Sequence, residues 1–226
     1  MGTSKKQRDP AEFSIVAPDL TPMEAARTIA SVDLRPDSVL EDVILDRVDL
    51  QARQQSHISL WGVRFCHVRG SNCNLENLRL LDAVHDSCDW ANASWDQANV
   101  IRCLLTECKM TGFGAANAKF ENSCFRRCKM DMAIFQRTEF RSCSFENCLL
   151  HDSSFEEAIL RGVRFRDCDL RNVRMARAQL DGVDLRGCDV RGLQFELRDA
   201  RGLIIDPAQA PDLIRLLGVR VQSPGE

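Results

Sequence analysis

Residues 163–187 read VRFRD-CDLRN-VRMAR-AQLDG-VDLRG, which is five consecutive blocks of five residues. In each block the first residue is small, the third is Leu, Phe or Met, and the other three are mostly charged or polar. The same frame extends without a slip from residue 38 to residue 197. A large apolar residue therefore recurs at every fifth position, and a smaller one recurs two positions before it.

The large and the small positions of this repeat each accept a narrow range of residue types. Of the 32 large positions, 28 hold Leu, Phe, Met, Trp or Val, and of the 32 small positions, 27 hold Cys, Ala, Val, Ser or Thr. Neither the helical period of 3.6 nor the strand period of 2 keeps such columns on one side of the chain. A path with a corner at the end of every block does, and four corners close a square turn of four blocks. The sequence therefore predicts an all-β solenoid with both columns inside.

Blocks such as Ala118-Lys119-Phe120-Glu121-Asn122 and Cys168-Asp169-Leu170-Arg171-Asn172 carry a resemblance to a known family. They resemble the repeats of the pentapeptide-repeat proteins, whose pattern is a small residue, a polar residue, Leu or Phe, and two polar residues. The resemblance implies a right-handed quadrilateral parallel β-helix over residues 38–197, with about eight turns. At about 4.8 Å per turn the rod would be about 38 Å long, and its two ends need caps.

A few positions depart from the pattern. The stretch Arg53–Gln55 puts polar side chains where inward ones are expected, which predicts a distorted early turn. Gly70 and His85 are weak centres, and we expect His85 to be hydrogen-bonded or partly exposed because its ring nitrogens need partners. Phe113 with Ala115 reverses the small and large positions, which predicts a packing swap that conserves volume.

Cysteines that are four blocks apart should stack on one inner face of successive turns. Parallel side chains about 4.8 Å apart do not converge on a metal as four zinc ligands must, and they do not meet disulfide geometry. We therefore expect free buried thiols, no metal site and no cofactor. Cys66 and Cys124 fall in outward columns and are candidate reactive thiols. The predicted ladder consists of Cys88, Cys108, Cys128, Cys148, Cys168 and Cys188.

Composition narrows the functional classes. The chain has 226 residues, of which 44% are hydrophobic and 28% charged, with 33 acids, 30 bases and a formal charge of −3. This balance argues against direct binding of nucleic acid. The sequence has no glycine-rich phosphate loop and no H-E-x-x-H or G-x-S-x-G motif. We therefore expect that the protein is not an enzyme and has no catalytic residues. It also has no 18-residue apolar stretch and no apolar run after its basic first residues, which together with free thiols predicts a cytoplasmic protein without a membrane span.

The N-terminal segment outside the repeats divides into two parts. Residues 1–12 are charged and predict a flexible tail. Residues 13–37 predict a cap over the first turn of the rod, with a short helical turn in which Thr21 is the N-cap and Pro22 the first helical residue.

The C-terminal segment, residues 198–226, predicts a helix followed by a short strand. Asp206 is a suitable N-cap, Pro207 suits the first helical position, and Gly218 suits the stop, with a strand over residues 219–221. The apolar side of this helix is wider than a cap requires, and exposed apolar surface marks an interface. The predicted homodimer interface consists of Leu213, Ile214, Leu216, Leu217 and Val219.

The same C-terminal helix and the tail Leu-Leu-Gly-Val-Arg-Val resemble the end of the topoisomerase-protecting pentapeptide proteins, including the Qnr-type quinolone-resistance group. The resemblance implies a DNA mimic that binds DNA gyrase or topoisomerase IV where duplex DNA sits, relieves topoisomerase poisons and dimerises through its C-terminus. A different function remains open, namely a non-enzymatic scaffold with an unknown partner. For the first function, the predicted partner-binding acidic surface consists of Glu76, Asp82, Asp86, Asp89, Asp96 and Glu107.

Overall fold

Short parallel strands make up most of the protein. Our computed structural model describes residues 14–20, 22, 26–32, 34–215 and 219. The strands are β1 (Arg27–Ile29), β2 (Val39–Glu41), β3 (Val43–Asp46), β4 (Gln54–Ser56), β5 (Ser59–Trp61), β6 (Arg64–Cys66), β7 (Asn74–Glu76), β8 (Arg79–Asp86), β9 (Asn99–Thr106), β10 (Lys119–Glu121), β11 (Cys124–Arg126), β12 (Glu139–Glu146) and β13 (Ile159–Arg166).

Within the repeats, strands pair in parallel with a register of four blocks, which is one turn. Phe120 of β10 lies beside Phe140 of β12, and an isolated bridge joins Asp169 to Asp189. This register confirms the solenoid, which has about seven turns rather than the expected eight. The first turn is irregular, because Arg53 is exposed and Gln55 is only half-buried at positions that are filled by inward side chains elsewhere, but Gln54–Ser56 still pairs with the next turn.

A left-handed backbone residue forms every corner of the coil. Each fifth residue from Asp37 to Gly192 has φ between +49° and +80°. Gly occupies this region readily because it has no Cβ to crowd the carbonyl oxygen, and Asn and Asp are tolerated there because their short polar side chains can hydrogen-bond locally. The corner residue is the last of each block, which explains why that position is so often Asn, Asp or Gly.

The corners divide the rod into four faces, which we number by their central inward residues. Face 1 carries residues 40, 60, 80 and so on to 180; face 2 starts at 45, face 3 at 50 and face 4 at 55. The residue before each centre and the two after it form the outer surface. A charged or polar side chain on the outside therefore has neighbours two positions away in its own block and neighbours four blocks away in the adjacent turn.

Stacked aromatic rings fill the later part of the core. The ring centroids of Phe125 and Phe145 are 4.7 Å apart with planes 3° apart, and those of Phe145 and Phe165 are 4.8 Å apart with planes 8° apart. All three side chains are fully buried. The five-residue columns do point inward as predicted, and the ring spacing follows the strand spacing of about 4.8 Å.

In the earlier turns, His85 lies in a cluster of aromatic side chains. His85 is fully buried, stacks on Phe65 at a centroid distance of 4.1 Å, and has no hydrogen-bond partner for either ring nitrogen among the described residues. The expectation of a hydrogen-bonded or partly exposed histidine is therefore wrong. Aromatic rings pack against this imidazole, with the ring centroids of Trp90 at 5.6 Å and Trp95 at 5.5 Å, and the Cys88 thiol lies beside it. Phe113 next to them is fully buried.

A helical element closes the C-terminal end of the rod. A 3-10 helix spans Leu197–Ala200, a second spans Pro207–Gln209, and α1 (Ala210–Arg215) follows it directly. The Asp206 carboxylate accepts hydrogen bonds from the backbone N–H groups of Ala208 at 2.9 Å and Gln209 at 3.2 Å, as the N-cap prediction requires. The predicted stop at Gly218 and the strand to residue 221 lie outside the described residues, apart from Val219.

One buried side chain ties this element to the last turn. The Gln209 amide group is buried and donates hydrogen bonds to the backbone carbonyl oxygens of Leu185 at 2.7 Å and Cys188 at 2.8 Å. These two contacts anchor the C-terminal element to backbone carbonyls at the end of the rod. No motif in the sequence predicted this role for Gln209.

Candidate functional site

The six carboxylates of the predicted acidic surface are spread around the rod. Glu76 and Asp96 lie one turn apart on face 4, while Asp86 lies on face 2 and Asp89 on face 3. The other two, Asp82 and Glu107, occupy corners on either side of face 2. Residues close in sequence lie on different faces because one turn takes four blocks, so the structure does not bring all six together.

Three of the six are paired with a base from the next turn. Asp82 binds Arg102 through two short contacts, with Nε at 2.6 Å and Nη2 at 2.5 Å. Asp89 pairs with Lys109 at 3.4 Å, and Glu107 pairs with Arg127 at 2.8 Å.

The Asp82–Arg102 pair is the most enclosed of these. The Asp82 side chain is 12% exposed, and the Arg102 side chain 31%. Hydrogen bonds from the Arg102 guanidinium hold the pKa of Asp82 below its usual range, and the Asp19 N–H adds to this effect. Asp82 is therefore charged but already satisfied by groups of its own chain.

The other three carboxylates form no ion pair among the described residues. Gln97 donates a hydrogen bond to Glu76 at 2.8 Å, Ser87 donates one to Asp86 at 3.0 Å, and the Ala116 N–H donates one to Asp96 at 2.8 Å. Asp86 is exposed, and Glu76 and Asp96 are half-buried. These three keep a net negative charge at the surface.

Carboxylates neutralise several arginines of the later turns. Arg171 and Asp169 are joined at 2.6 Å and Arg186 and Asp184 at 2.8 Å, in each case across one intervening inward residue. Arg177 reaches back one turn to Glu157 at 2.7 Å. The charges along the rod are thus compensated locally by pairs that share a block or lie one turn apart.

The predicted cysteine ladder is present on face 3 and consists of free, buried thiols. Cys128 and Cys148 donate to the backbone carbonyl oxygens of Leu105 and Phe125, each at 3.4 Å. In the described part of the chain, no group of three or more His, Cys, Asp or Glu side chains is arranged to hold a metal ion.

The two outward cysteines differ from each other. Cys66 is half-buried, as its position predicted, whereas Cys124 is only 7% exposed. Burial raises the pKa of the Cys124 thiol, and Ser144 donates a hydrogen bond to its sulfur at 3.2 Å. Cys124 is therefore buried, although its column faces outward.

Comparison with known proteins gives the family of the repeats. Residues 138–203 match the family model described as a pentapeptide repeat region. The chain contains a pentapeptide-repeat region. The left-handed corners of this pentapeptide-repeat geometry continue back to Asp37, well before the matched residues. No curated protein sequence matches the chain.

Several solved structures are similar to the pentapeptide-repeat rod. A trypsin-treated form of QnrB1, a plasmid-mediated fluoroquinolone resistance protein, is 18% identical, with 87% of this chain and 98% of that chain covered and a TM-score of 0.45. Full-length QnrB1 is 16% identical, with 86% and 97% covered and a TM-score of 0.37. HetL, involved in heterocyst differentiation regulation in the cyanobacterium Nostoc sp., is 16% identical, with 72% and 88% covered and a TM-score of 0.26.

The C-terminal end of the pentapeptide-repeat rod presents apolar surface. A cavity of about 250 Å³ is open to solvent there and is lined by Phe195, Leu203 and Leu213, among others. Leu197 at its rim is 67% exposed, and Ile214 is 37% exposed.

The predicted dimer residues fall only partly on this end. Leu213 is half-buried against the core, and Val219 is 48% exposed. Leu216 and Leu217 of the predicted interface lie outside the described residues.

The N-terminal segment takes two separate positions. β1 pairs in parallel with β3 and so covers the first turn. Residues 14–20, in contrast, run along the outside of the rod: the Asp19 N–H donates to Asp82 at 2.9 Å, and the Val16 N–H donates to Asn122 at 3.5 Å. The prediction that all of residues 13–37 cap the first turn is wrong for this stretch. The flexible tail predicted for residues 1–12 and the N-cap Thr21 lie outside the described residues.

No helix in the described ranges combines the length and the apolar character that crossing a bilayer requires.

Proposed function

We propose that the chain is a non-enzymatic rod that binds a bacterial type II topoisomerase, DNA gyrase or topoisomerase IV, in the position of duplex DNA. The resemblance to the topoisomerase-protecting pentapeptide proteins implies this role, together with protection of the enzyme from its poisons and a cytoplasmic location. The observation that supports it most is that three surface carboxylates, Glu76 and Asp96 on face 4 and Asp86 on the opposite face 2, have no ion-pair partner among the described residues. A basic DNA-binding groove attracts such charges on a stiff rod.

A supercoiling assay with a quinolone tests this proposal. Added protein should restore supercoiling by inhibited gyrase in proportion to its concentration. Glu76→Lys and Asp86→Lys should each weaken this protection, because each places a base where the groove expects a phosphate. Asp167→Lys is the matched control: Asp167 is an exposed corner residue in a later turn and carries the same charge change. Equal loss in all three variants would indicate a net-charge effect, and no protection by the unaltered protein would refute the proposal.

A second function is favoured by the pairing of charges along the rod. Asp82, Asp89 and Glu107 are already neutralised by Arg102, Lys109 and Arg127. A surface with compensated charge suits a scaffold that binds a partner through shape and polar contacts, and such a protein would bind without competition from DNA.

We further propose that two rods join end to end through the C-terminal element. The open apolar cavity beside Leu213 and the exposed side chains of Leu197 and Ile214 support a second copy as its occupant. Light scattering tests this at micromolar concentration. A dimer that Leu197→Asp converts to a monomer is the expected result, and a monomeric unaltered protein would contradict it.

A further inference from the structure

In the part of the rod that the structure describes, the outer surface carries an apolar strip that the repeat pattern does not explain. The position just before each centre is outward, and on face 2 three successive turns place Val84, Leu104 and Cys124 there. Leu81 and Ile101 lie beside this strip on face 1. Most outward positions elsewhere are polar, so this strip is an exception that needs a cover.

Residues 14–20 provide that cover. Ile15, Ala17 and Pro18 line a space of about 370 Å³ together with Leu104 and Cys124. Val16, between them in sequence, is 54% exposed and points away from the strip. Ile15 and Pro18 are half-buried, whereas Ala17 is exposed like Val16, so the segment contacts the strip mainly through Ile15 and Pro18.

The way this segment is held differs from the rest of the fold. The backbone N–H and C=O groups of the coil are already paired with those of the adjacent turns. A segment on the outer face can therefore form hydrogen bonds only to side chains, because no strand edge is free there in the described turns. The two hydrogen bonds given above, from Asp19 N–H to Asp82 and from Val16 N–H to Asn122, both end on side chains. A segment fixed by a few side-chain bonds and a small apolar area opens at a low free-energy cost.

We propose that this strip is a peptide-binding groove for an extended segment with small apolar side chains, and that residues 14–20 are its resident occupant. The segment acts as an intramolecular ligand whose high effective concentration keeps the groove filled. When it leaves, the groove accepts another segment of the same chemistry, with an apolar side chain over Leu104 and a backbone N–H directed at Asp82. This proposal does not depend on a topoisomerase partner.

Cys124 reports on the groove, because its thiol lies under the segment. The test is alkylation of the full chain in its native state, with the extent of labelling at each cysteine measured by peptide mass mapping. In the unaltered protein, half-buried Cys66 should be labelled readily and Cys124 only slowly. Ile15→Asp puts a charge into the groove and should label Cys124 about tenfold faster, which corresponds to about 1.4 kcal/mol in the closing equilibrium. Val16→Asp adds the same charge on the exposed side and should behave as the unaltered protein. Asp19→Pro, which removes the N–H that binds Asp82, is a second opening variant.

A peptide added in trans completes the test. A synthetic peptide of residues 13–20 should slow the labelling of Cys124 in Ile15→Asp again, and the same peptide with Asp at residue 15 should not. Circular dichroism confirms that each variant keeps its fold. The proposal is overturned if Cys124 reacts at one rate in all the chains, or if it becomes reactive in Ile15→Asp but the peptide gives no protection.

Discussion

Gly70 makes room for the indole ring of Trp90, which lies one turn further along the rod: a Cβ atom at residue 70 would lie 2.1 Å from Cζ3 of Trp90. Trp90 is fully buried and packs edge-on against Trp95 at a centroid distance of 5.2 Å, so its ring has nowhere to move. The missing side chain at one centre is therefore the reason that the next turn holds a tryptophan.

Gly70→Ala should consequently lower the free energy of unfolding by about 1–3 kcal/mol, the usual cost of overpacking a core. Replacing Trp90 with Leu in the same chain should recover part of this loss, because the smaller side chain vacates the space. Denaturant unfolding of the two single variants and the double variant measures the coupling. Strictly additive effects would show that the two residues do not compete for volume.

The Asp82–Arg102 pair should make a pH-dependent contribution to stability. Arg102→Met should lower the free energy of unfolding at pH 7 by about 1–3 kcal/mol, between the values for exposed and buried pairs. Because the pKa of Asp82 is lower in the folded state, this contribution is present above the carboxyl's unfolded pKa of about 3.9 and is lost as pH falls through the folded value. The difference between variant and unaltered protein should therefore shrink below about pH 4.

Arg127→Met is the matched control for this experiment. Arg127 pairs with Glu107, but the two side chains are 53% and 52% exposed, so the loss should be under about 1 kcal/mol. Urea unfolding curves at several pH values measure both variants. A loss for Arg102→Met that stays constant down to pH 2 would contradict the assigned role of Asp82.

The left-handed corners predict opposite effects for the same substitution at two glycines. Gly182 has φ +78° and no atom within 4 Å of a Cβ added there, so Gly182→Ala should cost about 1 kcal/mol from backbone conformation alone. Gly114 has no left-handed φ and its Cβ would meet nothing closer than 3.6 Å, so Gly114→Ala should stabilise by about 0.4–1 kcal/mol through the unfolded chain. Thermal unfolding compares the two, and a shift of the same sign in both would argue against the corner assignment.

Replacing the buried imidazole of His85 should stabilise the protein. His85→Leu removes two ring nitrogens that have no partner among the described residues, a defect that costs about 1–3 kcal/mol per group. Some stacking on Phe65 is lost, so we expect a net gain of about 1 kcal/mol in the free energy of unfolding. His151→Leu is the contrasting variant, because His151 contacts Asp131 at 3.2 Å and Asp152 at 3.1 Å and should lose stability. A destabilised His85→Leu protein would point to a polar contact for His85.

The repeat made the interior of the rod predictable from the sequence. Because each position in a five-residue block has one environment, the stacked rings of Phe125 and Phe145 and the ladder thiols such as Cys128 followed from spacing alone. The cap at Asp206 followed from its own short motif with Pro207.

The outer surface was less predictable, because its contacts join residues that no local pattern connects. The backbone N–H of Asp19 binds Asp82, 63 residues away, and that of Val16 binds Asn122, 106 residues away. The prediction of a single acidic patch was wrong for a related reason: carboxylates that are close in sequence lie on different faces, whereas Arg102, which pairs with Asp82, is a full turn away in sequence.

Competition between the protein and DNA for gyrase tests the proposed function most directly. Binding of the labelled chain to gyrase is measured while duplex DNA of increasing concentration is added, at one fixed salt concentration because both interactions are electrostatic. A DNA mimic must lose binding as DNA occupies the groove, and Glu76→Lys must be displaced at lower DNA concentrations than Asp167→Lys. Binding that is unaffected by DNA, or no binding at all, would contradict the proposal.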